Sequence, residues 1–438
     1  METRVYQTYS IKDITGFYSL QQFCTQALTW AESQDCFHYF TDNQLGSQYP
    51  HGGYRNMLVL GAKERIPLQK GQVFDDLEEY LQAGKKDWII GYWGYDLKNE
   101  IEELQSHNSN PFTLPDAFFY IPDILIFFED DTITIASFGN PDQILQTILS
   151  TPIAQNSGLN FKGDIQQRTS KEKYLYTVDQ LKEHILDGDV YEINYCMEFF
   201  SQNAVLQPLQ AYLALNTLSP MPFSVYGKID THYLLCASPE RFLKKKETQL
   251  ISMPIKGTIK RGASLEEDIV LKGLLHSSIK ERAENMMIVD LVRNDLARSA
   301  RSGSVVVEEM FGIYTFAALH QMISTVVAEI RPEMDTIEAI RNAFPMGSMT
   351  GAPKIKAMEL IDKYEDLRRG LYSGAVGYFT PEGDFDFNVV IRSIQYDATQ
   401  HYLSFSVGSA ITYDAIPEQE YAECLLKAQA MYTVLTAR

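Results

Sequence analysis

The spacing of apolar residues changes along this chain, and each change predicts an element. Residues 37–40 and 56–60 are short apolar runs that predict strands. Residues 74–81 predict a helix, with the Gly84-Lys85-Lys86-Asp87 turn behind it. Residues 88–95 form an aromatic strand containing Gly91 and Gly94. Runs at 124–128 and 132–137 flank the acidic turn Glu129-Asp130-Asp131, a hairpin signal. Ser170 caps a helical pattern over 171–186 that ends near Gly188, and residues 265–300 are mostly helical by pattern. After a Gly/Pro loop over 344–354, Pro353 sits where a helix starts, and Ile355, Met358, Ile361 and Tyr364 recur on one face until Gly370. Residues 372–379, 387–394 and 402–411 read as a three-strand meander, and a final helix covers 418–436. Strands mostly adjacent in sequence, with helices interspersed, predict antiparallel sheets covered by helices rather than a βαβ array. No fixed-period repeat is visible. A stretch rich in Ser, Thr, Pro, Asn and Gly over 150–165 is the expected linker between a mixed α/β region (1–160), part of the same composite fold, and a second region (165–438).

Composition narrows the function classes. The 438 residues are 45% apolar and 22% charged, which excludes a mostly disordered chain. Lys plus Arg is 38 and Asp plus Glu is 57, so the net charge is 38 − 57 = −19, against a nucleic-acid partner. An anionic ligand must therefore be held by a few local cations or by a metal. Cys24, Cys36, Cys196, Cys236 and Cys424 are odd in number, scattered, and form no Cys-x-x-Cys pair. They read as reduced thiols of a cytoplasmic protein, with no disulfide framework. No signal peptide is visible at the N-terminus, and the apolar stretches fall far short of the ~18 residues that would suggest a membrane span.

Several familiar motifs fail. Gly347 to Lys354 has the wrong spacing for a phosphate-binding loop. There is no Gly-x-Ser-x-Gly elbow, no His-Glu-x-x-His and no glutaminase nucleophile elbow. Five features survive, each with a plainer reading beside it. The pairs Glu281/Glu284 and Glu420/Glu423 put two carboxylates on one helix face, which suits a hard cation such as Mg²⁺ or simply a solvated face. Lys256, between Pro254 and Gly257, is a candidate nucleophile if desolvation removes its proton, or a solvated turn lysine. Glu240 is a general acid with a raised pKa or the ion-pair partner of Arg241. His320 is a catalyst or a hydrogen-bonded core residue. Arg392, within the apolar run 389–394, meets a ligand carboxylate or snorkels from an edge strand.

In this order the motifs closely resemble the chorismate-utilising enzymes. The blocks are GDVYEINYCMEF (188–199), ASPERF (237–242), PIKGTIKRG (254–262), ERAENMMIVDLVRNDLAR (281–298), FPMGSMTGAPKIKAMELI (344–361), YSGAVGYF (372–379), FNVVIRS (387–393) and GSAITYDAIPEQEYAE (408–423), with GYWGYDL (91–97) a weaker extension. The resemblance implies an α/β fold of two face-packed antiparallel sheets with helices outside. It implies Mg²⁺ held by Glu284 and Glu423, with Glu281 and Glu420 in support. It implies a chorismate pocket drawing on Ser348, Tyr372, Arg392, Gly257, Thr258, Gly408, Ser409 and Lys427, with His320 near the ring. Anthranilate-forming relatives usually carry Ala at the position of Lys256, whereas relatives that aminate chorismate at C4 carry Lys. By resemblance, then, Lys256 attacks C2 while the C4 hydroxyl leaves, Glu240 gives the proton, and ammonia displaces the lysine to yield 4-amino-4-deoxychorismate. A separate glutamine amidotransferase is the implied ammonia source. Isochorismate-forming relatives carry a lysine where this chain has Glu192, and nitrogen-using relatives usually have Gln, so Glu192 departs from both. Formation of anthranilate, formation of isochorismate and a non-catalytic chorismate-binding subunit are the alternatives.

Overall fold

The computed structural model describes residues 3–14, 19–84, 86–152, 161–317 and 319–436. Residues 153–160 of the expected linker, Lys85 of the predicted turn and Ala318 before His320 lie outside the described residues. Among the described residues the architecture is two antiparallel sheets, one of 12 strands and one of 10, with helices on both outer sides. Strands from before residue 140 enter both sheets: Cys36–Thr41 pairs with Phe223–Ile229 in the larger, and Ile89–Trp93 pairs with Ala375–Phe379 in the smaller.

Why the sheets face each other is visible in the side chains. Alternation along each strand sends one apolar set inward. A single core joins Phe40, Tyr226 and Phe405 of the larger sheet with Ile90, Ile251 and Tyr378 of the smaller. Phe40 meets Tyr378 edge to face at 5.4 Å, the favoured geometry for an aromatic pair. The outer face of the smaller sheet carries a second core, in which Trp93, Leu250 and Val326 pack against Ile288, Val292 and Leu296 of the helix Ile279–Ala297. Tyr174, Cys424 and Met431, from helices Lys171–Leu186 and Pro417–Thr436, join the first core from the other side of the larger sheet. No helix is long and apolar enough to cross a membrane among the described residues.

Most predicted elements are present, including the helix capped by Ser170, the 124–137 hairpin and the strand Tyr402–Ile411. Four differ. The helix predicted over 265–300 is two, Leu265–Ser277 and Ile279–Ala297, because Ser278 closes one and caps the next. Its hydroxyl accepts from the Glu281 amide, in the Ser-x-x-Glu pattern of a helix start. The meander over 372–411 is not a meander: Phe385–Asn388 belongs to the smaller sheet and Ser393–Asp397 to the larger. The chain passes between the sheets at 389–392, so Val389 and Val390 are buried without continuing a strand, and Arg392 turns with φ +52°. Lys256 lies in a strand, Ile255–Lys260, not in a turn. On the helix Lys354–Tyr364 the buried face is Ala357, Met358, Leu360 and Ile361, and Ile355 is exposed.

Candidate active site

A cavity of roughly 880 Å³ opens where the two sheets, two helices and two loops converge. Two other pockets among the described residues hold only about 20 Å³ each, room for little more than water, whereas this one can take a small organic ligand. The smaller sheet supplies Lys256, Gly257 and Thr258, the larger supplies Asn194 and Gly408, and the crossover supplies Arg392. Glu281 and Glu284 enter from the start of Ile279–Ala297, and Glu420, Glu423 and Lys427 from Pro417–Thr436. Glu240, Ser348 and Tyr372 complete the wall. Residues from Asn194 to Lys427, more than two hundred positions apart, are thus brought together.

His320 and Ser409 do not line the cavity. Strand alternation explains the first: Leu319 and Gln321 face the cavity, and His320 points away. Its ring bonds Thr315 Oγ1 at 2.9 Å and Asp268 Oδ1 at 3.0 Å, the hydrogen-bonded core reading. Ser409 Oγ bonds the Tyr174 hydroxyl at 2.8 Å, behind the wall.

Lys256 is not solvated. Its side chain is 10% exposed, and Nζ lies 2.6 Å from Glu192 Oε1, itself 1% exposed. Burial works against the charge of this lysine, but Glu192, Glu284 and Glu423 outweigh it and hold the ammonium above its ordinary range. Desolvation alone therefore does not free the amine, contrary to the sequence-based expectation. Glu240 is the opposite case. Burial pushes its carboxyl up to about 7, against the smaller pull of Ser348 and Lys256. It does not pair with Arg241, whose guanidinium bonds Asp386 at 2.9 and 3.0 Å. Arg392 has no ion-pair partner among the described residues and faces the cavity, so its cation is available to an anionic ligand.

Glu281, Glu284, Glu420 and Glu423 face the cavity from two helices, where a hard divalent cation could meet them. Among the described residues no three carboxylate, imidazole or thiol groups already stand together as a metal site. The donor chemistry nevertheless fits. Glu284 Oε1 is buried without a hydrogen-bond partner, and its nearest cation, Lys280 Nζ, is 3.8 Å away. Burial, with Glu192 and Glu281 nearby, raises Glu284 to about 7, and burial also raises Glu281 and Glu420. Burial would raise Glu423 too, but Lys427 at 2.7 Å outweighs it and keeps that carboxyl low. Partly buried carboxylates short of cations are what a cation stabilises.

Lys280, Gln321 and Asn194 line the cavity without having been singled out from the sequence. Lys280 was legible in principle, since it adjoins Glu281. Gln321 and Asn194 were not, because nothing in a strand sequence says which face meets a ligand.

The chorismate binding enzyme family profile matches residues 30–433. The aminodeoxychorismate synthase of Streptomyces griseus is 41% identical over 275 residues, 62% of this chain. The chain spans only 38% of that relative's length. Aminodeoxychorismate synthase component 1 of Bacillus subtilis (strain 168) is 32% identical over 361 residues, covering 79% of this chain and 76% of that one. Among solved structures, anthranilate synthase component I from Streptococcus pneumoniae TIGR4 superposes with a TM-score of 0.76 at 25% identity, over 86% of this chain and 92% of that one.

Proposed function

Because the chain belongs to the chorismate binding enzyme family, we propose that it aminates chorismate at C4, giving 4-amino-4-deoxychorismate. The observation that carries this reading is Lys256, a lysine built into the cavity wall with a carboxylate at 2.6 Å on one side and a buried acid, Glu240, lining the same cavity. The names of the relatives described above support it.

The residues divide the work. Arg392 takes a substrate carboxylate, which its unpaired guanidinium suits. Tyr372, Ser348, Gly257, Thr258 and the backbone at Gly408 shape the pocket; Gly257 has φ +97°, and a Cβ there would stand 3.1 Å from Glu281 Oε2. Lys427 donates to the Gly408 carbonyl at 2.8 Å and so fixes that wall. Glu284 and Glu423, with Glu281 and Glu420, would hold Mg²⁺. When bound, Mg²⁺ supplies positive charge that offsets a substrate carboxylate in a protein of net charge −19. Lys256 Nζ forms a bond to C2 of the ring as the C4–O bond breaks, and Glu240, neutral up to about pH 7, gives its proton to the departing hydroxyl. Ammonia then bonds C4 and the lysine leaves. Two displacements replace one difficult one. A component named 1 in the Bacillus subtilis relative fits a separate glutamine amidotransferase as the ammonia source. Five free cysteines, four of them buried, fit a cytoplasmic location.

The test is Lys256→Ala. Turnover to aminodeoxychorismate is expected to fall by about a thousandfold or more with folding intact. Undiminished turnover in that variant would sink the nucleophile assignment.

A further inference from the structure

We propose that Glu192 is the proton-accepting partner of Lys256, taking a proton from its ammonium before the amine attacks and returning it when the amine leaves. The inference rests on the reading of Lys256 as nucleophile and adds a residue to which that reading gives no role.

The geometry points to it in three ways. First, Glu192 Oε1 is 2.6 Å from Lys256 Nζ, and no other carboxylate oxygen of the described residues lies within 4.0 Å of that nitrogen. Second, the other oxygen, Glu192 Oε2, is buried with no hydrogen-bond partner. A carboxylate kept only for packing would be expected to have that acceptor satisfied. An unsatisfied acceptor loses least when the group turns into a neutral carboxyl. Third, the pair bridges the sheets. Glu192 opens the strand Glu192–Ser201 and pairs with Ala352, while Lys256 belongs to the smaller sheet. The backbone there is fixed closely: a Cβ on Gly351 would stand 2.2 Å from the Glu192 carbonyl oxygen. The acceptor is thus held still relative to the amine. The other carboxylates that interact with Lys256 are Glu240, Glu281, Glu284 and Glu423, from the loop before Arg241–Lys246 and from two helices, and Glu420, Lys260, Lys280, Arg392 and Lys427 line the same cavity.

The step balances within the pair. The proton moves from Nζ to Oε1, leaving a neutral amine and a neutral carboxyl. The amine's lone pair forms the C–N bond. When that bond breaks its electrons return to nitrogen, and the proton returns from Oε1.

The test uses the full chain with chorismate, Mg²⁺ and an ammonium salt, following initial rates across pH 6.5 to 9. Glu192→Gln keeps a hydrogen bond to Nζ but cannot take its proton. It is expected to lower kcat by about 10²- to 10⁴-fold with KM for chorismate nearly unchanged, and to make the rate climb steadily with pH. Glu192→Asp, which keeps an acceptor, is expected to recover part of kcat and the original pH profile. A wild-type rate and profile in Glu192→Gln would overturn the proposal, as would a loss confined to KM or to melting temperature. If the glutamine variant does not fold, a folded Glu192→Asp as inactive as Lys256→Ala at every pH overturns it. Turnover retained in Lys256→Ala would instead overturn the nucleophile reading itself. Loss in Lys256→Ala with Glu192→Gln unaffected removes only the role of Glu192.

Discussion

Glu240 shows how burial sets both chemistry and stability at one residue. It is 4% exposed, and its carboxyl is pushed up to about 7 from an ordinary 4.5. A group whose folded pKa is raised favours the folded state while protonated and costs stability as pH rises through the folded value. Replacing it with Gln removes that cost. Glu240→Gln is therefore expected to melt above the parent protein by a margin that grows from pH 5.5 to pH 8, reaching about 1–3 kcal/mol. Its turnover is expected to fall by about 10²- to 10⁴-fold, since no proton reaches the leaving hydroxyl. Melting curves at the two pH values check the first half; a constant or negative margin would contradict it. At this scale the sequence was partly legible. Glu240 and Arg392 could be singled out because each is a charge beside an apolar run. The partner of Lys256 could not: Glu192 and Lys256 are 64 positions apart, and only the folded sheets bring them to 2.6 Å. His320 misled for the complementary reason, since period-two alternation does not say which face of a strand meets the cavity.

Elements carry the next level. The helix Ile279–Ala297 starts at Ser278, so Glu281 and Glu284 sit in its first two turns, where amide dipoles favour negative charge. The sequence pattern predicted one long helix there, because the apolar and charged positions run on without a proline, and Gly273 sits inside the helix Leu265–Ser277 without ending it. The Ser278-Ile279-Lys280-Glu281 capping pattern was present in the sequence but hidden inside that run. Ser278→Ala is expected to lower stability by about 1 kcal/mol. It is also expected to weaken Mg²⁺-dependent protection, read as a smaller rise in melting temperature on adding the metal. An unchanged Mg²⁺ response would detach the cap from the site. The run 387–394 failed for another reason: its apolar residues, all but Ile391 buried, look like a central strand, whereas the chain is crossing between sheets. That crossing is what delivers Arg392 to the cavity.

For the whole molecule the fold class was legible early, because adjacent strands with interspersed helices admit few arrangements other than covered antiparallel sheets. The sequence could not give the cavity at which both sheets meet. There, a protein of net charge −19 gathers five glutamates about a site proposed for an anion. Chorismate and Mg²⁺ together are expected to raise the melting temperature more than the sum of their separate effects, since each offsets the charge that repels the other. Strict additivity would separate the two sites.

The most direct measurement is of the product. The purified chain is incubated with chorismate, Mg²⁺ and an ammonium salt, and the products are separated by chromatography with mass detection. The account predicts 4-amino-4-deoxychorismate, formed only when ammonium is present. Anthranilate with pyruvate, or isochorismate formed without ammonium, would contradict it.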